Sequence, residues 1–250
     1  MDVKTLFNVK DKVVLVTGGG RGIGLMIATG FVASGAKVYI SSRSAEVCAK
    51  VASELTAMGP GTCDSIPGDL QKEEDIQSII QKLSEKEDHL DILVNNSGAN
   101  WAAPVDKYPS KAFEKVMNLN VNRVFTLTQA CLPLLRAKAS AEEPSRVINI
   151  GSINGLIVPN LETYAYAASK AALHHLTRHL ASRLGPDHIV MMAETLRRDG
   201  EKIVAGIPVR RIGRPDDIAG ACLFLSSRAG SFVNGAVLVL DGGSHISAKM

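Results

Sequence analysis

The chain predicts an α/β fold in which a parallel sheet is covered by helices on both faces. Three observations carry this. Short β-branched runs alternate with longer amphipathic stretches from Lys12 to Gly98, the alternation returns after Phe113, and no Pro/Ser-rich linker, repeat or low-complexity block interrupts it. With 250 residues and 46% hydrophobic composition the chain can bury one large core, so a single domain over residues 1–250 is expected.

Val13–Thr17 is the first expected strand, a helix follows from about Gly22 to Ser34, and Lys37–Ser41 is the second strand, ending in Ser42-Arg43. Helical spacing resumes through Val47, Val51 and Leu55, before Ser65–Pro67 closes a weaker third strand at Gly68-Asp69-Leu70. Ile76, Ile79, Ile80 and Leu83 mark the next helix, and Asp91–Val94 a short buried strand. A long helix around Phe113–Leu135, a surface loop from Lys138 to Ser145, a strand at Arg146–Ile150 and a helix from about Tyr164 to Leu184 continue the pattern. After Gly185 the rhythm breaks. Only Ile189, Val190, Met191 and Met192 precede renewed helical character at Ala193–Val204, which predicts a sixth strand that is truncated or missing. Arg214-Pro215-Asp216-Asp217 reads as a helix start, with proline near its first turn and acids facing the dipole, and Ala236–Leu240 as the final strand.

Formal charge is +3, from 28 basic and 25 acidic residues. The basic residues are dispersed apart from a modest group at Arg197, Arg198, Arg210, Arg211 and Arg214, which argues against a nucleic-acid partner. Met1 to Asp11 mixes charges without a long apolar core, so neither a secretory signal nor a membrane anchor is expected and the cytoplasm is the expected compartment. Cys48, Cys63, Cys131 and Cys222 are far apart, with neither the close pairs of a zinc site nor the density of a disulfide scaffold; they read as reduced, buried and without a metal.

Thr17-Gly18-Gly19-Gly20-Arg21-Gly22-Ile23-Gly24 follows an apolar strand and opens a helix. Without Cβ atoms, Gly18, Gly22 and Gly24 permit a tight turn and the approach of a pyrophosphate to the helix N-terminus, where free N–H groups of residues such as Ile23 favour negative charge. The plain alternative is a glycine-rich turn without a ligand. With it the sheet takes the doubly wound, three-layer αβα Rossmann arrangement. A carboxylate at the end of the second strand would accept bonds from an adenosine ribose. This chain has Ser42 and Arg43 there, with Arg21 in the glycine loop, a set that suits a 2′-phosphate and therefore NADP over NAD. Either arginine could instead be a solvated surface charge. Asp69 and Leu70 could lie near the adenine. Asn95-Asn96-Ser97-Gly98 could bring Asn95 against the cofactor, or hold a turn by side-chain bonds.

Tyr166 and Lys170 stand four residues apart on one helix face. A fixed cation beside a phenol lowers its pKa from roughly 10, so Tyr166 could pass a proton to a carbonyl oxygen as hydride reaches the carbon. Ser152, at the end of the preceding strand, can hydrogen-bond the same oxygen.

On these residues, together with Asn120 in Met117-Asn118-Leu119-Asn120-Val121 and the terminal Asp241-Gly242-Gly243, the chain resembles the short-chain dehydrogenase/reductase family over nearly all its length. The resemblance implies an active-site tetrad at Asn120, Ser152, Tyr166 and Lys170. Tyr166 is then the acid–base residue, Lys170 lowers its pKa and holds the nicotinamide ribose, Ser152 orients the carbonyl, and Asn120 supports a water-linked relay to Lys170. Asn120 could instead cap or kink its helix, and Ser152 bond only to backbone. Leu184–Ile189 and Ala205–Pro215 resemble the 3-oxoacyl-carrier-protein reductase-like branch of rhamnolipid-type enzymes and fungal relatives. That branch implies a β-keto thioester, polyketide-derived ketone or small hydroxy compound as substrate, and a homodimer or homotetramer. One departure stands out: the Asn-x-x-x-Pro-Gly segment that family members carry after the sixth strand is absent, with no Pro-Gly after Lys170. A weakened sheet is expected from it, and a catalytically impaired isoform or non-catalytic dinucleotide-binding protein is the alternative it raises.

Overall fold

The computed structural model describes residues 2–196 and 207–246. After a short helix α1 (Val3–Leu6), strand β1 (Val13–Thr17) enters the centre of a seven-stranded parallel sheet of order β3-β2-β1-β4-β5-β6-β7. The remaining strands are β2 (Lys37–Ser41), β3 (Thr62–Ser65), β4 (Ile92–Asn95), β5 (Ser145–Ile150), β6 (Ile189–Leu196) and β7 (Val237–Leu240). Helices α2 (Gly22–Ala33), α3 (Ala45–Met58), α4 (Glu73–Ser84), α5 (Ser110–Met117), α6 (Arg123–Arg136), α7 (Tyr164–Leu184) and α8 (Pro215–Ser226) connect them.

Alternate residues of each strand feed two apolar layers, which is why the strands read as continuous apolar runs. Val14, Val16, Val38, Ile40, Val94 and Met192 pack with Ile27 and Phe31 of α2 and Cys222 of α8. On the opposite face, Val13, Leu15, Leu93, Val147 and Met191 pack with Ile76, Ile79 and Leu83 of α4 and Leu127 and Leu135 of α6. No helix among the described residues is long and apolar enough to cross a membrane.

Two expectations are corrected. The single helix expected around Phe113–Leu135 is α5, a π-helical turn at Asn118–Asn122, and α6. The larger correction is β6. It is a full strand of 8 residues, paired with β5 from Ile189 to Glu194 and with β7 from Ala193 to Leu196. Ala193–Leu196, expected to start a helix, are therefore extended, and the rest of that expected helix lies outside the described residues. The physical reason is that a central position offers two hydrogen-bonded ladders, and this outweighs the intrinsic helix preference of Ala, Glu and Leu. No open seam results: Met191 N–H donates to Asn234 Oδ1, Ala193 N–H to Ala236 O and Gly235 N–H to Met191 O.

Candidate active site

The order of the sheet reverses direction between β1 and β4, so their C-terminal ends open a crevice. Gly18 leaves β1 with φ +66°, a left-handed conformation that favours glycine. Thr17 Oγ1 donates to Val94 O and accepts from the N–H groups of Asn96 and Ser97, while Asn96 Nδ2 donates to Thr17 O and Gly18 O. The glycine turn is thus pinned to the loop after β4. A Cβ at Gly24 would lie 2.3 Å from Gly18 O, so the turn closes only with glycine there. Arg21 precedes α2 in extended conformation, and among the described residues no side chain caps this helix. Its first-turn N–H groups, those of Gly22, Ile23 and Gly24, remain available to an anion.

Ser42 is half-buried at the end of β2, with exposed Arg43 next to it and exposed Arg21 on the glycine loop. A methyl group on Gly20 would stand 3.3 Å from Ser42 Oγ, so loop and strand end form one rim. Further along, Asp69 Oδ1 accepts from Gln71 N–H, its own N–H donates to Asp75 Oδ2, and Leu70 is buried.

Asn95 makes no bond across a local turn, and among the described residues its Oδ1 has no partner. It is buried, and its Nδ2 donates to Thr128 Oγ1 and Asn149 Oδ1, beneath the crevice floor. Asn149 Nδ2 in turn donates to Thr177 Oγ1, so the network ties β4 and β5 to α6 and α7. Thr17 and Asn149 are positioning groups that sequence reasoning missed, whereas Asn96 holds the turn by side-chain bonds as the sequence allowed. Thr17 and Asn149 had one visible signal, a polar residue inside or ending an apolar strand.

At the centre, Lys170 lies one turn after Tyr166 on α7, 95% buried, with Nζ 5.6 Å from the Tyr166 ring centroid. Nζ donates to Ile150 O over 2.6 Å, and burial holds its pKa down to about 8. Ser152 Oγ, just past β5, accepts from Asn154 N–H, which leaves its own hydrogen to donate elsewhere. Asn120 sits in the π-helical turn and is its buried residue. Its Oδ1 accepts from Ala99 N–H, and its Nδ2 donates to Ala99 O and to Ser169 Oγ, which itself donates to Tyr166 O. The amide therefore fastens the loop after β4 to the helix that carries Tyr166 and Lys170. A methyl group on Gly98 would meet Asn120 Oδ1 at 3.2 Å and Lys170 Nζ at 4.0 Å, so Asn120 and Lys170 face the same loop, with Tyr166 one turn away and Ser152 two residues past Ile150, whose carbonyl holds Lys170. The arrangement offers hydroxyl donors and one buried cation where a carbonyl oxygen could be polarised.

The family model described as "short chain dehydrogenase" matches residues 12–195. A rhamnolipids biosynthesis 3-oxoacyl-[acyl-carrier-protein] reductase from Pseudomonas aeruginosa is 44% identical over 96% of this chain and 98% of its own length. A 3alpha-hydroxysteroid dehydrogenase from Mediterraneibacter gnavus is 33% identical over 94% and 98% respectively. Among solved structures, the Pseudomonas aeruginosa RhlG/NADP active-site complex superposes with a TM-score of 0.91 at 43% identity, covering 96% of this chain and 99% of that one. Crevice geometry, whole-length similarity and the family match coincide, and the chain belongs to the short-chain dehydrogenase family of oxidoreductases.

Proposed function

We propose that the protein reduces a ketone or 3-oxoacyl-type carbonyl to a secondary alcohol with NADPH. The observation that carries this reading is Lys170, a buried cation one helical turn after Tyr166, with Nζ near the Tyr166 ring and bonded to Ile150 O at the end of β5, two residues before Ser152. Bound NADPH would supply the hydride. Tyr166 then gives its phenolic proton to the developing alkoxide, Lys170 stabilises the phenolate left behind, and Ser152 donates to the same substrate oxygen. Asn120 keeps the loop after β4 in register with α7. At the other end of the crevice the first turn of α2 would hold the pyrophosphate, and Ser42, Arg43 and Arg21 would hold the 2′-phosphate. Asp69 and Leu70 would flank the adenine. An acyl thioester substrate is favoured by the similarity to the acyl-carrier-protein reductase. We further read the protein as one domain, cytoplasmic and a homodimer or homotetramer.

The test is fluorescence titration with NADPH and NADH, followed by turnover on a diketone and a 3-oxoacyl thioester. NADPH-preferring binding with alcohol formation supports the reading, and an absence of turnover on both carbonyl classes contradicts it. The second reading, a dinucleotide-binding protein with impaired catalysis, is favoured by one feature: no Pro-Gly follows Lys170. Its signature is tight NADPH binding without turnover.

A further inference from the structure

Cys48 is fully buried in the first turns of α3, and its Sγ lies 2.9 Å from Ser42 Oγ and 4.0 Å from Ser42 O. We propose that Cys48 is a positioning residue for cofactor choice, its thiol fixing the Ser42 hydroxyl as a donor toward the 2′-phosphate of NADPH. This rests on the reading that Ser42 belongs to the phosphate rim.

A sulfur and an oxygen that close must share a proton, and there are two ways to do so. If Ser42 donates to sulfur, its hydrogen is used inward and the rim presents an oxygen lone pair to the phosphate, which repels it. If Cys48 donates to Ser42 Oγ, the hydroxyl hydrogen is left to point outward, where phosphate oxygens accept it. A phosphate dianion accepts and never donates, so its arrival selects the second arrangement. A thiol is a weak donor and a weak acceptor, and the exchange between the two arrangements is accordingly cheap. The 2′-hydroxyl of NADH both donates and accepts, so it makes no such selection. Discrimination therefore depends on what stands behind Ser42.

The surroundings give the thiol its leverage. A methyl group on Gly20 would lie 3.3 Å from Ser42 Oγ, 3.2 Å from Val47 Cγ1 and 3.9 Å from Cys48 Sγ, so the serine is held between the glycine loop and the start of α3. Ser42 O accepts from Gly68 N–H, which fixes the backbone on the far side. The Ser42 side chain then has the Cys48 thiol as its inward partner.

The test measures NADPH and NADH dissociation constants by fluorescence titration for the parent, Cys48→Ala, Cys48→Ser, Ser42→Ala and the Ser42→Ala/Cys48→Ala double variant. Cys48→Ala is expected to weaken NADPH by roughly 3- to 10-fold, the loss of one oriented bond to a charged group, with NADH changed less than about 2-fold. Cys48→Ser retains a donor and keeps the preference. In the Ser42→Ala background, Cys48→Ala adds nothing, because the thiol acts through the serine. Equal weakening of both cofactors by Cys48→Ala would mean simple packing loss and overturn the proposal. So would unchanged NADPH binding in Cys48→Ala where Ser42→Ala loses it. If Ser42→Ala itself binds NADPH as the parent does, the phosphate-rim reading falls and the proposal with it.

Discussion

Cys222 of α8 donates its thiol hydrogen to Glu194 Oε2 of β6 over 2.8 Å, in a space closed to solvent. Among the described residues Glu194 Oε1 has no partner, and burial pushes the carboxyl up from 4.5 to about 7. A folded pKa above the unfolded one means that stability is fully present below about pH 4.5 and is lost as pH rises through about 7. The cost at pH 8 is on the order of 3 kcal/mol, which corresponds to roughly 5–10 °C in melting temperature for a chain of this size. Thermal unfolding of the parent is expected to weaken from pH 5 to pH 8. Glu194→Val, which suits a strand and removes the charge, is expected to melt higher at pH 8 and to flatten the profile. A parent whose melting temperature does not fall over that range removes this prediction.

Glu194 also marks where the sequence was hardest to read. The first six strands except β6, and α7 with its Tyr166 and Lys170, were legible because one pattern served both local preference and burial. Over Ala193–Leu196 the two disagree: the local preference is helical, whereas the sheet needs a strand between β5 and β7. Pairing wins, and the conflict survives as a buried carboxylate. The Tyr166–Lys170 pair was legible from its spacing and Ser152 from its place after a strand, whereas Asn120 entered only through the family resemblance. The bonds of Asn95 had no such signal, since its partners Asn149 and Thr128 are distant in sequence. The π-helical turn at Asn120 likewise has no local signature.

Tyr166→Phe removes only the phenolic hydroxyl. Turnover is expected to fall on the order of 10²- to 10⁴-fold, the range for a positioned acid–base group, with NADPH affinity nearly unchanged. Lys170→Ala is expected to damage both, because the ammonium serves the phenol and the cofactor ribose. A phenylalanine variant that turns over at the parent rate would show that the proton comes from elsewhere.

Lys170 carries a pH dependence of its own. Burial lowers its pKa to about 8, so the cation is present at neutral pH and is lost as pH rises past that value. Reduction, measured as kcat/KM from pH 6 to 10, is expected to decline on a basic limb that begins near pH 8 and belongs to the Tyr166–Lys170 pair as a unit. A rate that is flat to pH 10 would separate Lys170 from the proton transfer.

Arg43 is exposed at the end of β2 beside Ser42. If it pairs with a 2′-phosphate, Arg43→Ala weakens NADPH by roughly 10-fold, the scale of a charge-assisted bond, and spares NADH. Dissociation constants for both cofactors decide the matter. Equal losses would make Arg43 a general electrostatic contributor.

Self-association is expected through the outer side of α5 and α7 and the loop that precedes α7. Val116 and Leu173 are 2% and 1% exposed and therefore core, while Leu119 and Leu176 are half-buried. The exposed apolar surface lies elsewhere. Val158 is 89% and Leu161 62% exposed, and they line a cavity of about 400 Å³ with Leu156, Pro159, Ala168 and Ala171. Tyr164 borders this cavity and also a neighbouring one of about 340 Å³ lined by Val105, Tyr108, Ser110 and Phe113. The Tyr108 ring meets Phe113 and Tyr164 edge-on, at 6.2 and 5.6 Å between centroids, so Tyr164, which lines both cavities, packs against the aromatic lining of the second. Continuous apolar surface of this kind is costly to leave in water and favours a second copy over it. Light scattering at micromolar concentration is expected to return a multiple of 26.6 kDa for the parent. Val158→Asp with Leu161→Glu places charges in that patch and should shift the particle toward a single chain, with the melting temperature at dilute concentration little changed because neither residue supports the core. A parent that scatters as one chain ends the prediction, and a double variant that stays associated moves the interface to another face.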